Sequence, residues 1–328
     1  MPEVRKKGIL ICILILGTII FNSCDASREN PLDPNSKDNL LGTIQGTVQT
    51  YSLPYTPITN VEVLWKPGSI LVYTDNSGNF SVPNVKTENG LLIFRKDGFL
   101  SDTIQVDWNG TRKVNEQVNL NTIPTLDSLA IYTVVINVSD TSSQMYELII
   151  RTKVKDPDND IDTVFVVNDQ VGLDKVMDFN VADKTYQSIL TLGDLNLNDI
   201  EETLGLKFNF VIKNIAGYVY TLSGGSVTRV IKDRMAGLLP DSNQIISALP
   251  FDLQWNGFSS GYSFHYIIEV YTNDVSNPQL VLRQDNISSQ VTSFSVISLD
   301  VGNYWWVVWI VDEFNNMSRS APATFVIQ

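Results

Sequence analysis

Histidine is almost missing: His265 stands alone in 328 residues. Zinc centres and activated serine or cysteine nucleophiles commonly need imidazoles in sets or beside another reactive group, so most such schemes lose their parts. Cysteine is nearly as scarce, with Cys12 and Cys24 alone. If a leader ending before Cys24 is removed, one thiol remains, no disulfide can form within the chain, and its domains stand on packing. Positive charge is short as well, with 23 Lys and Arg against 36 Asp and Glu for a net charge of −13. Such a balance excludes attraction to nucleic acid or to an anionic membrane surface through overall charge. The only long apolar run, Gly8 to Phe21, is 14 residues interrupted by Thr18. A helix crossing a bilayer needs about 20.

What is present at the amino end has a direction. Arg5, Lys6 and Lys7 precede the apolar run, and Ser23-Cys24 closes it with a small residue and a thiol. That order is the layout of a secretory signal. Ser23-Cys24 resembles the end of a bacterial lipoprotein lipobox, from whose usual pattern Phe21 and Asn22 depart. The resemblance implies removal of the signal peptide 1–23, lipidation of Cys24, and a place in the cell envelope outside the cytoplasm, at the outer membrane or cell surface. Acyl chains such as palmitate then attach the protein to the membrane, at about 0.8 kcal/mol per buried methylene. An uncleaved signal anchor is the alternative. Losing Arg5, Lys6, Lys7 and Glu3 leaves 20 basic and 35 acidic residues, a net charge of −15. Residues 24–39 read as the lipidated cysteine and a flexible tether, because Pro31 and Pro34 oppose helix and no apolar face forms. Fully extended, Asp25 to Asn39 reaches about 45 Å.

Beyond residue 40 no long stretch repeats at the helical period, and alternation dominates: "GTIQGTVQ", "VEVLW", "DTIQV" and "EQVNL" each place apolar residues at every second position. "TDNSGNF" (Thr74 to Phe80) and "RKDGF" (Arg95 to Phe99) set glycine where a turn requires positive φ. Short strands at regular spacing predict an all-β chain of three consecutive β-sandwich domains, each near the roughly 100 residues such a domain uses. Residues 40–122 resemble the carboxypeptidase regulatory-like domain, a transthyretin-like sandwich. The matching residues are Gly46-Thr47-Val48, Val61-Glu62-Val63, Thr74 with Gly78 and Phe80, and Lys96-Asp97-Gly98-Phe99. The resemblance implies a module without catalysis. Residues 123–234 are similar to an immunoglobulin-like domain, on two strands around an acidic turn (Tyr146 to Val167) and a second pair around Asn214 and Gly217. Residues 235–328 resemble a fibronectin type III domain. Phe251, Leu253 and Trp255 share one strand face, Tyr262, Phe264, Tyr266, Ile268 and Val270 another, and Tyr304, Trp306, Val308 and Ile310 a third, followed by Asp312, Asn316 and Ser318.

Candidate chemistry is thin. "GFSSG" (Gly257 to Gly261) fits the nucleophile-elbow pattern with Ser259, but that pattern needs a strand–turn–helix setting. Here strands flank it, and a solvated hairpin loop is expected. His265 alternates with Tyr266 and shares its side with Ile267 and Glu269, away from the core face. Asp156, Asp158, Asp160 and Asp162 offer alternating carboxylates to a calcium ion. An EF-hand loop would want glycine at Ile161 and glutamate at Val167, and a polar β-turn accounts for the same residues. Four glycosylation acceptor patterns, at Asn109, Asn137, Asn286 and Asn316, carry no meaning behind a bacterial leader.

The most informative surface is "YWWVVWIV". With Tyr304, Trp306, Val308 and Ile310 inward, Trp305, Val307 and Trp309 face outward, beside Ile267 on a neighbouring strand. Exposed indoles stack on sugar rings and mark interfaces; packing against another domain or loop is the plainer reading. The expectation is a non-enzymatic protein without cofactor or metal. It is held to the membrane through Cys24, binds no nucleic acid, and offers the Trp305, Trp309 and Ile267 strip to a glycan or an envelope protein. The alternatives are a structural spacer or assembly subunit of an envelope complex, and an accessory hydrolase working through paired carboxylates.

Overall fold

Strands form where β-branched and aromatic residues alternate with polar ones. The computed structural model, which describes residues 41–138, 143–274 and 276–328, consists almost wholly of them. The signal, Cys12, Cys24 and the tether lie outside the described residues. The chain divides into two compact units at Thr122 and Ile123.

The first unit holds β1 (Leu41–Thr50), β2 (Glu62–Trp65), β3 (Ile70–Tyr73), β4 (Asn79–Lys86), β5 (Gly90–Arg95), β6 (Asp102–Val106) and β7 (Lys113–Leu120). A three-stranded sheet, β4-β1-β7 with β1 and β7 parallel, faces a four-stranded sheet, β3-β2-β5-β6. Ile44, Val48 and Phe80 from one sheet and Trp65, Leu92 and Phe94 from the other share one buried core. Each such side chain contributes about 1.5–3 kcal/mol by leaving water. The residues singled out in the sequence do structural work here. Thr74 is buried, and its hydroxyl donates to the Ile58 carbonyl at 2.6 Å while accepting the Val61 amide at 2.9 Å. Lys96 Nζ donates to the Thr59 carbonyl at 2.7 Å. Gly46 answers a close approach: a Cβ there would stand 1.9 Å from the Glu116 carbonyl oxygen.

In the second unit the chain order is β8 (Thr125–Asn137), β9 (Gln144–Lys155), β10 (Ile161–Asn168), β11 (Leu173–Val176), β12 (Asp178–Asn180), β13 (Thr185–Leu190), β14 (Lys207–Asn214), β15 (Val219–Ser226), β16 (Gln244–Ile246), β17 (Phe251–Gln254), β18 (Phe264–Thr272), β19 (Leu280–Ser288), β20 (Ser293–Val296), β21 (Gly302–Asp312), β22 (Met317–Arg319) and β23 (Ala323–Ile327). A 3-10 turn at Ile200–Thr203 is the one helical element among the described residues. The expected strand faces hold, with Leu253, Trp255, Tyr266, Ile268, Val270, Trp306, Val308 and Ile310 in a common core. The two strands expected around the acidic turn form as β9 and β10 but do not pair with each other, since β9 pairs with β8 and β13 while β10 pairs with β11 and β14. The turn therefore carries the chain from one sheet to the other.

Residues 123–234 and 235–328 share a sheet, although each also has one of its own, β11-β10-β14-β15 in the first and β17-β20 in the second. β8 pairs in parallel with β22, Met317 opposite Val134 and Arg319 opposite Ile136, and one ten-stranded sheet runs through both. Polar groups buried at this seam explain its register. Asn316 Oδ1 accepts the Thr133 amide at 3.0 Å, and Asn316 Nδ2 donates to Asp312 Oδ2 at 3.0 Å. The Asp312 carboxylate also accepts the amides of Phe314 and Asn316 at 2.8 Å and Arg229 Nη1 at 2.9 Å. A buried carboxylate is tolerable only with such a set of donors. The connection after β15 is fastened from both sides: Ile231 and Met235 enter the core of the later strands, and Gln144 Nε2 donates to the Lys232 carbonyl at 3.1 Å.

Charge is unevenly divided. Residues 41–122 carry 6 basic and 7 acidic side chains, net −1, whereas residues 123–328 carry 12 and 24, net −12.

Candidate binding face

The outward side of β21 is set by strand alternation, and the register with β18 places Ile267 opposite Trp309 and Tyr271 opposite Trp305. Trp305 and Trp309 are half-buried, and Ile267 and Val307 between them are buried at 6% and 0% exposure. The two indoles thus roof a small apolar layer. The Tyr271 and Trp305 rings stack with centroids 4.2 Å apart and planes 8° from parallel.

The sequence did not single out Glu269 as the organiser of this face. Its side chain is 8% exposed, and its carboxylate accepts Trp309 Nε1 at 2.8 Å, the Tyr271 hydroxyl at 2.9 Å and Arg283 Nη1. With both oxygens engaged, Glu269 fixes ring orientation rather than offering a free base. Burial, reinforced by the hydrogen bond and charge of Glu269, pushes the Tyr271 phenol up to about 12. The Arg319 guanidinium lies 5.8 Å from the centre of the Trp309 ring, and burial lowers its pKa from the ordinary arginine value against the pull of Tyr271 and Glu269. The only advance signal for Glu269 was its phase, shared with His265 and Ile267 on β18.

Elsewhere the candidate residues are occupied by structure. Asp156 Oδ2 accepts the Asp160 amide at 2.9 Å, and Asp160, 7% exposed, accepts Asn214 Nδ2 at 3.0 Å. Asn159 takes positive φ, as a turn residue does. Asp162 accepts the Thr163 hydroxyl at 2.9 Å, and Asp158 is half-buried in the same loop. Among the described residues no three His, Cys, Asp or Glu side chains come together in a way that could hold a metal ion. "GFSSG" is not the hairpin loop expected: β17 pairs with β20, so the segment passes between sheets to β18. No helix follows it, and Ser260 Oγ, not that of Ser259, bonds locally, to the Tyr262 carbonyl at 2.7 Å. His265 is half-buried on β18, opposite Val311 and Ser288. Of the four acceptor asparagines, Asn137 and Asn316 are each 1% exposed, and their amides serve the seam between β8 and β22.

No family model matches the chain, and no curated protein does. Solved structures similar to it include fibronectin(III)-like modules of CbhA from Clostridium thermocellum, at 13% identity over 62% of this chain and 93% of that one, with a TM-score of 0.30. BcpA, the major pilin subunit of Bacillus cereus, is 11% identical over 88% and 96%, with a TM-score of 0.25. The FN1-FN3 domains of chicken CNTN1 are 10% identical over 83% and 92%, with a TM-score of 0.29. Scores this low carry no argument about this chain, and its β-sandwich architecture rests on the sheets and cores described above.

Proposed function

We propose that this chain is a non-enzymatic, lipid-anchored binding protein of the bacterial cell envelope. Cys24 attaches it, Asp25 to Asn39 space it from the lipid, and the first unit is a carboxypeptidase regulatory-like module. The outer face of β18 and β21, at Trp305 and Trp309 over the buried Ile267, receives a glycan or an envelope protein. The observation that carries this reading is the Glu269 assembly: a buried carboxylate holding Trp309 and Tyr271 in fixed orientation beside Trp305. Pre-set aromatic rings lose little conformational freedom on binding, which is how a shallow face gains affinity.

The test is binding of the full chain, purified in detergent, to isolated envelope glycan and protein fractions. Trp305→Ala combined with Trp309→Ala lowers retention at least tenfold while thermal unfolding stays cooperative. Unchanged retention by a folded double variant contradicts the assignment of the face.

A further inference from the structure

In the second unit Arg151, Arg229 and Arg283 each hold a carboxylate, of Asp183, Asp312 and Glu269 in turn. Arg319 holds none. It stands on β22 opposite Trp309 of β21 and Ile136 of β8, so its side chain leaves the sheet on the side of the two indoles. There it is half-buried, with its guanidinium over the Trp309 ring. Among the described residues its side chain donates no hydrogen bond and joins no ion pair; Nε is closed off from solvent without an acceptor, whereas Nη1 and Nη2 are not closed off. Glu269 does not serve it, because that carboxylate is taken by Trp309 Nε1, the Tyr271 hydroxyl and Arg283. A half-buried guanidinium with an unfilled fork is costly in the free protein. The group that fills it is a planar oxyanion, held through two parallel N–H···O bonds.

The surroundings of Arg319 narrow the ligand further. A cation meets a guanidinium, and a purely apolar guest leaves its donors without acceptors. A polyanion meets a unit of 12 basic and 24 acidic residues, so isolated carboxylates are favoured over dense charge. A peptide has no strand edge to join here. β21 is paired with β18 along one side and with β23 and β22 along the other, and between those two the Val308 carbonyl accepts the Ser320 amide at 2.8 Å. A sugar ring needs no edge: it sets its C–H face on an indole and keeps its hydroxyls in water. Trp305, half-buried and held parallel to Tyr271, and Trp309 supply the indoles.

We infer that this face takes an acidic glycan, whose carboxylate accepts from Nη1 and Nη2 of Arg319 while a sugar ring lies against the indoles. The inference rests on the binding face proposed above and names its ligand class. Titration calorimetry of the full chain in detergent tests it with two matched pairs: cellobiouronate against cellobiose, and N-acetylmuramate against N-acetylglucosamine. The peptide acetyl-Ala-Glu-Ala-amide is the carboxylate probe without a sugar. At least one acid binds tenfold or more tightly than its neutral match, and more tightly than the peptide. Arg319→Met keeps the aliphatic stem and removes the unfilled fork, so it unfolds at the temperature of the parent and binds the acid no better than the neutral sugar. Trp305→Ala weakens acid and neutral sugar alike. The preference of the parent is read without any variant, so it decides even where Arg319→Met fails to fold. Equal binding of acid and neutral match overturns the inference, and where Trp305→Ala still weakens both, the face itself stands. A preference that survives Arg319→Met, or tighter binding of the peptide, also overturns it. Acid binding indifferent to both Trp305→Ala and Arg319→Met removes the inference and the face together.

Discussion

Replacing Asn316 by alanine probes how tightly the two halves of the second unit are joined. Asn316 is 1% exposed, and its Oδ1 accepts both the Thr133 amide at 3.0 Å and the Thr133 hydroxyl at 3.2 Å. Thr133 is fully buried, and its hydroxyl keeps only a 3.5 Å approach to the Arg229 carbonyl once the amide is gone. A buried donor left without an acceptor costs about 1–3 kcal/mol, and the truncated side chain leaves a small cavity besides. Asp312 retains Arg229 and two backbone amides, so no buried charge is stranded. The loss is therefore about 2–4 kcal/mol, most of it from one stranded N–H. Hydrogen exchange read by mass spectrometry locates it. At about 1.4 kcal/mol per tenfold, globally exchanging amides speed up between about 30-fold and nearly 1,000-fold. Because β8 and β22 share a sheet, the increase appears equally in β9, β14, β18 and β21, and the first unit is untouched. Acceleration confined to β18 and β21, with β9 and β14 unchanged, refutes the reasoning: the halves then unfold independently despite their shared sheet.

Three further outcomes follow from single contacts. Gly46→Ala drives a methyl into the Glu116 carbonyl and destabilises the first unit by several kcal/mol, about the scale of severe overpacking, while exchange in the second unit stays as it was. Glu269→Gln removes the charge that holds the Tyr271 proton, so ultraviolet titration finds that phenol falling part-way from about 12 towards 10, burial being the larger cause and still present. A phenol pKa raised by folding stabilises fully below pH 10 and ceases to do so as pH climbs through 12, so the parent loses stability across that window and the variant loses less. Asp194 is held down to about 2, chiefly by the amide and hydroxyl of Thr191 and then by Lys175. Its contribution is present above the unfolded value of 3.8 and lost as pH falls through about 2. Because Asp194 is a third exposed, Asp194→Asn costs only about 1 kcal/mol in urea denaturation at pH 7, and progressively less as pH falls from 3.8 through about 2.

Strand faces were legible because period two is a local property: Trp255, Tyr266 and Trp306 could be placed in one core from their spacing. Turns were legible for the same reason, since Gly78 and Gly98 take positive φ where the sequence put them. The joining of β8 to β22 was not legible. Thr133 and Asn316 are 183 positions apart, and a parallel contact between two edge segments has no signature within either. Which sheet a strand enters was equally hidden, so the strands on either side of the acidic turn could be placed but not their partners. At the candidate face, alternation identified Trp305, Trp309 and Ile267 but not how deeply they sit. Their burial depends on Tyr271, Arg283 and Arg319, which arrive from three different strands.

Attachment at Cys24 bears the greatest weight in the proposed function, and mass spectrometry of the amino-terminal peptide of the protein extracted from bacterial membranes reads it directly. A peptide starting at Cys24, its sulfur in a diacylglyceryl thioether, is the predicted result. A chain that still begins at Met1, or a Cys24 thiol open to alkylation, contradicts it.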